Sequence, residues 1–255
     1  MSIHKDLEAL RYRVMAPKAY YAFRAWRHYV RANHYSEPEL RMLRRLVDPV
    51  RAAVDVGANK GVYTYFLSRL ARHVFAYEPN PRFIPILQSV VAANVTVVHA
   101  ALSDRNGEGA LVIPINLKGE SNNAASLEAG KYAGDIKTVT VPMRRLDDEG
   151  LEGIGFIKID VEGHEDSVIR GARAVLERDR PTLLIEIEES HRGGAIQDSF
   201  DLVVESGYDG FMAEAGRLVP VAAFDPERHQ RGPRAGRGGR YIKNFIFVPR
   251  ESVVP

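Results

Sequence analysis

Two short apolar runs, each carrying an acidic residue at or beside its end, constrain this chain more than any other feature. The first is Ala53-Val54-Asp55-Val56, followed by Gly57-Ala58-Asn59-Lys60-Gly61; the second, about twenty residues on, is Phe75-Ala76-Tyr77-Glu78, followed by Pro79-Asn80-Pro81. A short apolar run bounded by glycine or proline reads as a buried strand, and a glycine pair reads as a tight turn into a helix. Strand, turn, helix and strand in that order make a parallel βαβ unit. Its second carboxylate falls where a ribose lies in a nucleotide-binding α/β fold.

The same rhythm continues from Val50 onward. Strands are predicted near 51–56, 73–78, 95–100, 154–159, 181–187, 208–212 and 242–248, with helices at about 61–71, 81–93, 165–178 and 195–206. Residues 108–115 and 137–143 read as an extra strand pair. This alternation predicts an α/β fold with a doubly wound, mostly parallel seven-stranded, Rossmann-like sheet over residues 48–255. A basic helical extension, residues 1–47, precedes it. At 255 residues the chain suffices for one large domain with an appendage.

Composition narrows the chemistry. With no cysteine, disulfides, thiolate nucleophiles and cysteine-ligated zinc are excluded. The net charge of +2 gives no reason to expect global disorder. No apolar run approaches the ~20 residues of a membrane span and no secretion signal opens the sequence, so a cytoplasmic protein is expected.

The first loop separates two classes of adenosine ligand. A dinucleotide site needs G-x-G-x-x-G so that the backbone can approach a pyrophosphate, and Asn59 stands at the second glycine position. Gly57-x-x-x-Gly61 with Asp55 before it instead resembles the first motif of S-adenosylmethionine-dependent methyltransferases, and Glu78 would accept hydrogen bonds from both ribose hydroxyls. Two local features have ordinary alternatives. An aspartate and glycine after a strand are common turn chemistry, and Asn80-Pro81 also reads as a helix cap with proline in the first turn.

A second motif, Ile157-Lys158-Ile159-Asp160-Val161-Glu162-Gly163-His164-Glu165, ends another strand. Ligands of open parallel sheets bind beyond the carboxyl ends of the strands, which places Asp160 in one crevice with Asp55 and Glu78. Asp160, Glu162, His164 and Glu165 crowd four ionisable groups into six residues, a costly arrangement unless some hold a ligand, a proton or a metal.

Taken together, Asp55-Val-Gly-Ala-Asn-Lys-Gly61, Glu78-Pro79, Ala101-Leu102-Ser103-Asp104 and Lys158-Ile-Asp-Val-Glu-Gly-His-Glu165 resemble the FkbM family of S-adenosylmethionine-dependent methyltransferases. The resemblance runs from about residue 50 to 190, with Lys243-Asn244-Phe245-Ile246-Phe247-Val248 also family-like; the N-terminal helices lie outside it. It implies O-methyl transfer to a hydroxyl of a sugar, glycolipid or secondary metabolite, with S-adenosyl-L-methionine as cofactor. It further implies that Asp55, Gly57, Asn59 and Gly61 line the methionine end, that Glu78 holds the ribose, that Asn80 belongs to the cofactor site, and that Ser103 and Asp104 meet the adenine. Asp160 would lie beside the transferred methyl, touching acceptor or cofactor. Asp104 has a second explanation, because Ser-Asp-Arg-Asn-Gly is a good turn.

Methyl transfer to a hydroxyl gains from a base that takes its proton. The candidates are Asp160, Glu162, His164 and, after the fifth strand, Glu186, Glu188 and His191; Glu162 and Glu186 are preferred on the acceptor side. A divalent cation bridging Asp160, Glu162 and Glu186 is chemically open but not expected.

Three segments remain. In the N-terminal extension Arg11, Arg13, Lys18, Arg24, Arg27 and Arg31 interleave with Tyr12, Tyr20, Tyr21, Phe23, Trp26 and Tyr29; this suits a helix covering a sheet edge, or peripheral contact with an anionic membrane. Ser36-Glu37-Pro38-Glu39 reads as a cap for the next helix. The Asn116–Asp135 insertion, with Ser121-Asn122-Asn123 and Ala125-Ser126-Leu127, and the arginine-glycine stretch at 227–240 read as loops, the second either a solvated linker or an electropositive lid. Basic loops also raise the alternative of an RNA methyltransferase. The sequence lacks the Asn/Asp-Pro-Pro-aromatic element of base-amine methylation and its crevice is acidic, so nucleic acid is an unlikely partner and a small-molecule, glycan or glycolipid acceptor is expected. Oligomeric state is not encoded legibly.

Overall fold

The computed structural model describes residues 17–31, 37–116, 119–120, 125–128, 130, 134–191, 194–214, 217–231 and 241–252. The expected cap at Ser36, the Ser121-Asn122-Asn123 stretch and the arginine-glycine residues 232–240 lie outside these, as do residues 1–16.

The main sheet is built from β1 (Ala52–Val56), β2 (His73–Tyr77), β3 (Val95–Val98), β8 (Ile154–Ile159), β9 (Thr182–Glu186), β10 (Tyr208–Glu214), β11 (Arg217–Pro220) and β12 (Asn244–Pro249). Its order is β11-β10-β12-β9-β8-β1-β2-β3. The five strands from β3 to β9 are parallel, and β12, β10 and β11 add antiparallel pairs. The fold is thus the expected doubly wound, mostly parallel one, with an eighth strand, β11, which pairs antiparallel with β10 and is not among the seven strands expected from sequence. Connection order reverses between β1 and β8, and such a switch point opens a crevice at the strands' carboxyl ends.

Between β3 and β8 the chain builds a second sheet of β4 (Ala101–Leu102), β5 (Gly107–Asn116), β6 (Gly119–Glu120) and β7 (Ile136–Arg144), in the order β4-β7-β5-β6. The long β5/β7 pair is the extra strand pair expected from sequence.

Every residue of β1, β8 and β12 is buried, as central strands covered on both faces must be. Alternation divides them between two cores. Val54, Val56, Ile157, Ile159, Leu183, Ile185, Phe245 and Phe247 pack against α5 (Glu165–Arg170), α6 (Arg173–Asp179) and α7 (Ile196–Val204). Ala53, Phe156, Leu184, Ile246 and Val248 pack on the other face with Leu40, with Leu43 and Leu46 of the short helix α2 (Leu43–Leu46), and with Leu67. A fully buried side chain of this kind contributes roughly 1.5–3 kcal/mol.

The same period-2 logic puts Asp55, Lys158, Glu186 and Asn244 on the second face, because they share parity with Ala53, Phe156, Leu184 and Ile246. The ends of the central strands therefore supply a polar patch on top of an apolar core.

Three departures from expectation have physical causes. The helix expected over 165–178 is two helices broken at Gly171, where a Cβ would lie 1.9 Å from the Ser103 carbonyl oxygen; a distant backbone crosses there. The helix after Pro81 starts only at Ile84, as α4 (Ile84–Val90), because Asn80 caps the preceding turn instead, its Oδ1 accepting from Arg82 N–H at 3.1 Å. And α1 (Pro17–Arg31) does not cover a sheet edge: it packs on α3 (Val62–Leu67) and α4, beside the first loop. Tyr21 drives this docking. Its ring stands edge-on to Tyr65 at 5.3 Å and its hydroxyl donates to the Gly61 carbonyl at 2.5 Å.

Candidate active site

A cleft of about 360 Å³ opens at the switch point, within the size range of small-molecule sites. Its floor is the turn after β1. Gly57 (φ +80°), Asn59 (φ 50°) and Gly61 (φ +76°) all adopt left-handed backbone, and at Gly57 a Cβ would lie 1.9 Å from the Asp160 carbonyl oxygen. Only glycine allows the first loop to press on the end of β8. Gly61 serves a different contact from the one implied by sequence: it faces away from the cleft, against Tyr21 and Leu87.

Glu78 is buried at the end of β2. Its carboxylate accepts the Asn59 N–H at 2.6 Å and the Asn80 N–H at 2.8 Å, so it locks the first loop to the second. Burial pushes its pKa up to about 7 despite those two donors. Asp55 points into the sheet face, accepting the Thr64 hydroxyl at 2.5 Å, and burial raises it to about 6.

Beyond Glu78 the wall becomes apolar, formed by Ala101, Leu102, Leu111, Leu127 and Val161. Asn80, Ser103 and Asp104 are not part of the lining. Ser103 is fully buried, its hydroxyl 2.9 Å from His164 Nε2, and Asp104 is exposed beside Arg105. Asp104 sits in the turn expected from its sequence, next to Ala101 and Leu102 of the cleft wall.

At the other end, ligand oxygens of Asp160, Glu162 and Glu186 lie within 4.8 Å of one another. The left-handed Glu162 (φ 57°) and Gly163 (φ 103°) make the turn that brings Glu162 there. Two lysines temper the cluster. Lys243 Nζ lies 2.7 Å from Glu186 and 3.9 Å from Glu37, and the buried Lys158 Nζ lies 3.7 Å from Asp160. Four carboxyl groups against two ammonium groups leave the cluster net negative even when Glu186 is protonated. Burial first, then the Asp160 charge, raises the Glu186 pKa to about 8, while the surrounding carboxylates hold Lys243 firmly protonated. The spacing alone would suit a hard divalent cation, but ammonium groups already balance two of the three carboxylates.

His164 lines the same cleft yet is engaged at both ring nitrogens, with Ser103 Oγ and with Glu128 Oε1 at 2.7 Å. Glu165 accepts the Gly163 N–H at 2.8 Å and so shapes the turn. His191 Nδ1 sits 3.1 Å from Glu162, and Glu188 accepts from the Tyr241 hydroxyl.

Sequence reasoning missed Lys243, Glu37, Tyr63 and Glu128. Tyr63 lines the cleft and carries the Lys158 ammonium 5.1 Å above its ring; burial holds its hydroxyl well above the ordinary value. Lys243 alone carried a signal, as the charge that opens an otherwise apolar strand run. Arg24 and His28 of α1 also reach the lining.

These features agree with similarities to known proteins. The profile of the methyltransferase FkbM domain matches residues 55–216. Methyltransferase sdnD of Sordaria araneosa is 29% identical over a 153-residue alignment covering 46% of this chain and 59% of the relative. The 2-O-methyltransferase NoeI of Sinorhizobium fredii is 29% identical over 154 residues, covering 52% and 61%. The chain thus spans about six-tenths of the length of these relatives. A crystal structure of a methyltransferase FkbM from Methylobacillus flagellatus KT aligns with 93% of this chain and 62% of its own, at 16% identity and a TM-score of 0.49. With its family match covering well over half of its residues, the chain belongs to the methyltransferase FkbM domain family.

Proposed function

We propose that the protein is an S-adenosyl-L-methionine-dependent O-methyltransferase acting on a hydroxyl of a sugar, a glycolipid or a secondary metabolite. The observation that carries this reading is the joining, in one cleft, of the glycine loop and Glu78 with the carboxylate and lysine cluster of Asp160, Glu162, Glu186 and Lys243. The name of NoeI, a 2-O-methyltransferase, supports the choice of oxygen as acceptor atom.

The residues fit the cofactor. Each Glu78 oxygen uses one lone pair on a backbone N–H and keeps another for a ribose hydroxyl. Gly57 and Asn59 leave the loop floor free of bulk, and the apolar wall at Ala101, Leu102 and Leu127 suits a flat base. Asp160 and the acidic end complement a positively charged sulfonium and amino group.

When bound, the cofactor supplies an activated methyl group on sulfur. The protein then has to align the acceptor oxygen, a contribution of ~7–11 kcal/mol in favourable cases, and receive its proton. One carboxylate of the Glu162 and Glu186 pair takes this single proton; Lys243 orients Glu186 and limits the build-up of negative charge. Asp160, whose N–H bonds to Val56 and whose carbonyl abuts Gly57, places its carboxylate at the junction of the two halves. The acidic lining opposes a phosphodiester strand and weighs against an RNA acceptor.

The test is incubation of the chain with methyl-labelled S-adenosylmethionine and fractionated glycan, glycolipid, metabolite and RNA extracts. Alkali-stable label on a hydroxyl of a glycan, lipid or metabolite is expected. Label confined to RNA, or to nitrogen, would overturn the reading.

A further inference from the structure

Helix α1 carries two apolar stripes, and the second is exposed at Trp26 and Val30. Tyr21 and Ala25 face inward, onto the first loop and α3. At 100° per residue, Ala19, Phe23, Trp26 and Val30 fall within about 60° of arc on the side facing away from that contact. Trp26 is 55% exposed and Val30 45%, and Phe23 packs beside Trp26 at 6.0 Å. The helix carries Lys18, Arg24, Arg27 and Arg31 and no acidic residue. Exposed tryptophan with aliphatic and basic neighbours is the composition of a helix lying in a bilayer interface, not of one facing water.

We propose that this outward face of α1 docks on an anionic membrane surface. Charge selects that occupant over a second copy of the chain, since two such faces would bring like charges together, whereas an anionic headgroup layer attracts them. Docking by an interfacial helix needs no spanning segment, and among the described residues no helix is long and apolar enough to cross a membrane. The proposal has a consequence for the acceptor that rests on the methyl-transfer reading. Arg24 and His28 of this helix line the cleft, so the membrane face and the cleft lie within the ~10–12 Å width of one helix. A lipid-borne hydroxyl would reach the site without leaving its bilayer.

Trp26 is the only tryptophan in the chain and reports directly on this face. The full chain is mixed with vesicles of phosphatidylcholine alone, or of phosphatidylcholine with phosphatidylglycerol. A blue shift of Trp26 emission and co-sedimentation at least about tenfold tighter on the anionic vesicles are expected, both weakening with salt. A Trp26→Ser, Val30→Ser double variant should co-sediment about tenfold less, and Arg27→Gln, beside the stripe, should reduce anionic binding with the apolar residues intact. Both should keep the wild-type melting temperature and S-adenosylmethionine binding, which separates this proposal from the catalytic reading. No shift on anionic vesicles, equal binding to neutral ones, or a shift that grows with protein concentration alone as dimers form would overturn it.

Discussion

Replacing Glu78 with glutamine perturbs the loop lock and the cofactor contact in one step. The wild-type carboxylate accepts two backbone N–H groups, at 2.6 and 2.8 Å; an amide has one oxygen, so one buried N–H must face a donor. Losing a hydrogen bond to a charged acceptor costs about 1.5–3 kcal/mol. An opposing effect arises because burial raises the Glu78 pKa from near 4.5 to about 7. The wild-type stability linked to this group is complete below the unfolded value and is lost as pH rises through 7, a loss of about 3 kcal/mol at 1.36 kcal/mol per pH unit. Glutamine does not suffer that loss. At pH 8 the two effects largely offset each other, and the net change in fold stability should be a gain of about 0–1.5 kcal/mol. Cofactor linkage has no such offset. At a concentration one hundred times the wild-type Kd, S-adenosylmethionine stabilises the native state by about 2.7 kcal/mol; a hundredfold loss of affinity would reduce this to about 0.4 kcal/mol. Urea denaturation at pH 8, with and without that fixed concentration, measures both quantities. A variant that keeps the full ligand-induced gain would refute the assignment of Glu78 to the ribose.

Three further outcomes follow from the same geometry. Gly57→Ala puts a Cβ 1.9 Å from a backbone oxygen at φ +80°, so the loop must move; a loss of at least about 1–3 kcal/mol in urea unfolding is expected together with loss of cofactor binding, and a variant with wild-type values would contradict the loop contact. Buried Glu39 is raised to about 7 by burial, with Asn244 Nδ2 3.4 Å away. Stability present below the unfolded carboxylate pKa is therefore lost as pH rises through 7, and Glu39→Gln should gain on the wild type by about 3 kcal/mol between pH 5 and pH 8; parallel pH profiles would show that the carboxyl is not desolvated. Asp160→Asn and Glu186→Gln should each lower kcat by roughly 10²–10⁴-fold in single-turnover kinetics, with cofactor affinity held within about threefold in Glu186→Gln, and full turnover in either would place the acceptor elsewhere.

How much of this was legible in the sequence depends on the range of the contact. Val54, Val56, Ile157 and Ile159 declare their strands by themselves, and the glycines after β1 declare their turn, because both are local consequences of burial and backbone sterics. The positions of Asp55, Glu78 and Asp160 then follow from the rule for open parallel sheets. Contacts between distant segments were not legible in the same way. The break at Gly171 comes from the Ser103 backbone, and the fixation of His164 comes from Glu128 in an insertion. The place of α1 over Gly61 comes from the Tyr21 hydroxyl on the Gly61 carbonyl and the Tyr21 ring against Tyr65. Glu78 itself shows the limit most clearly: its acidity predicted a ligand contact, but not that its oxygens first hold two backbone amides.

Equilibrium dialysis of the full chain against labelled S-adenosylmethionine addresses the core of the account most directly. One saturable site per chain is expected, displaced by S-adenosylhomocysteine and at least about tenfold weaker after Glu78→Gln. A cooperatively folded chain that retains no label at millimolar ligand would contradict it.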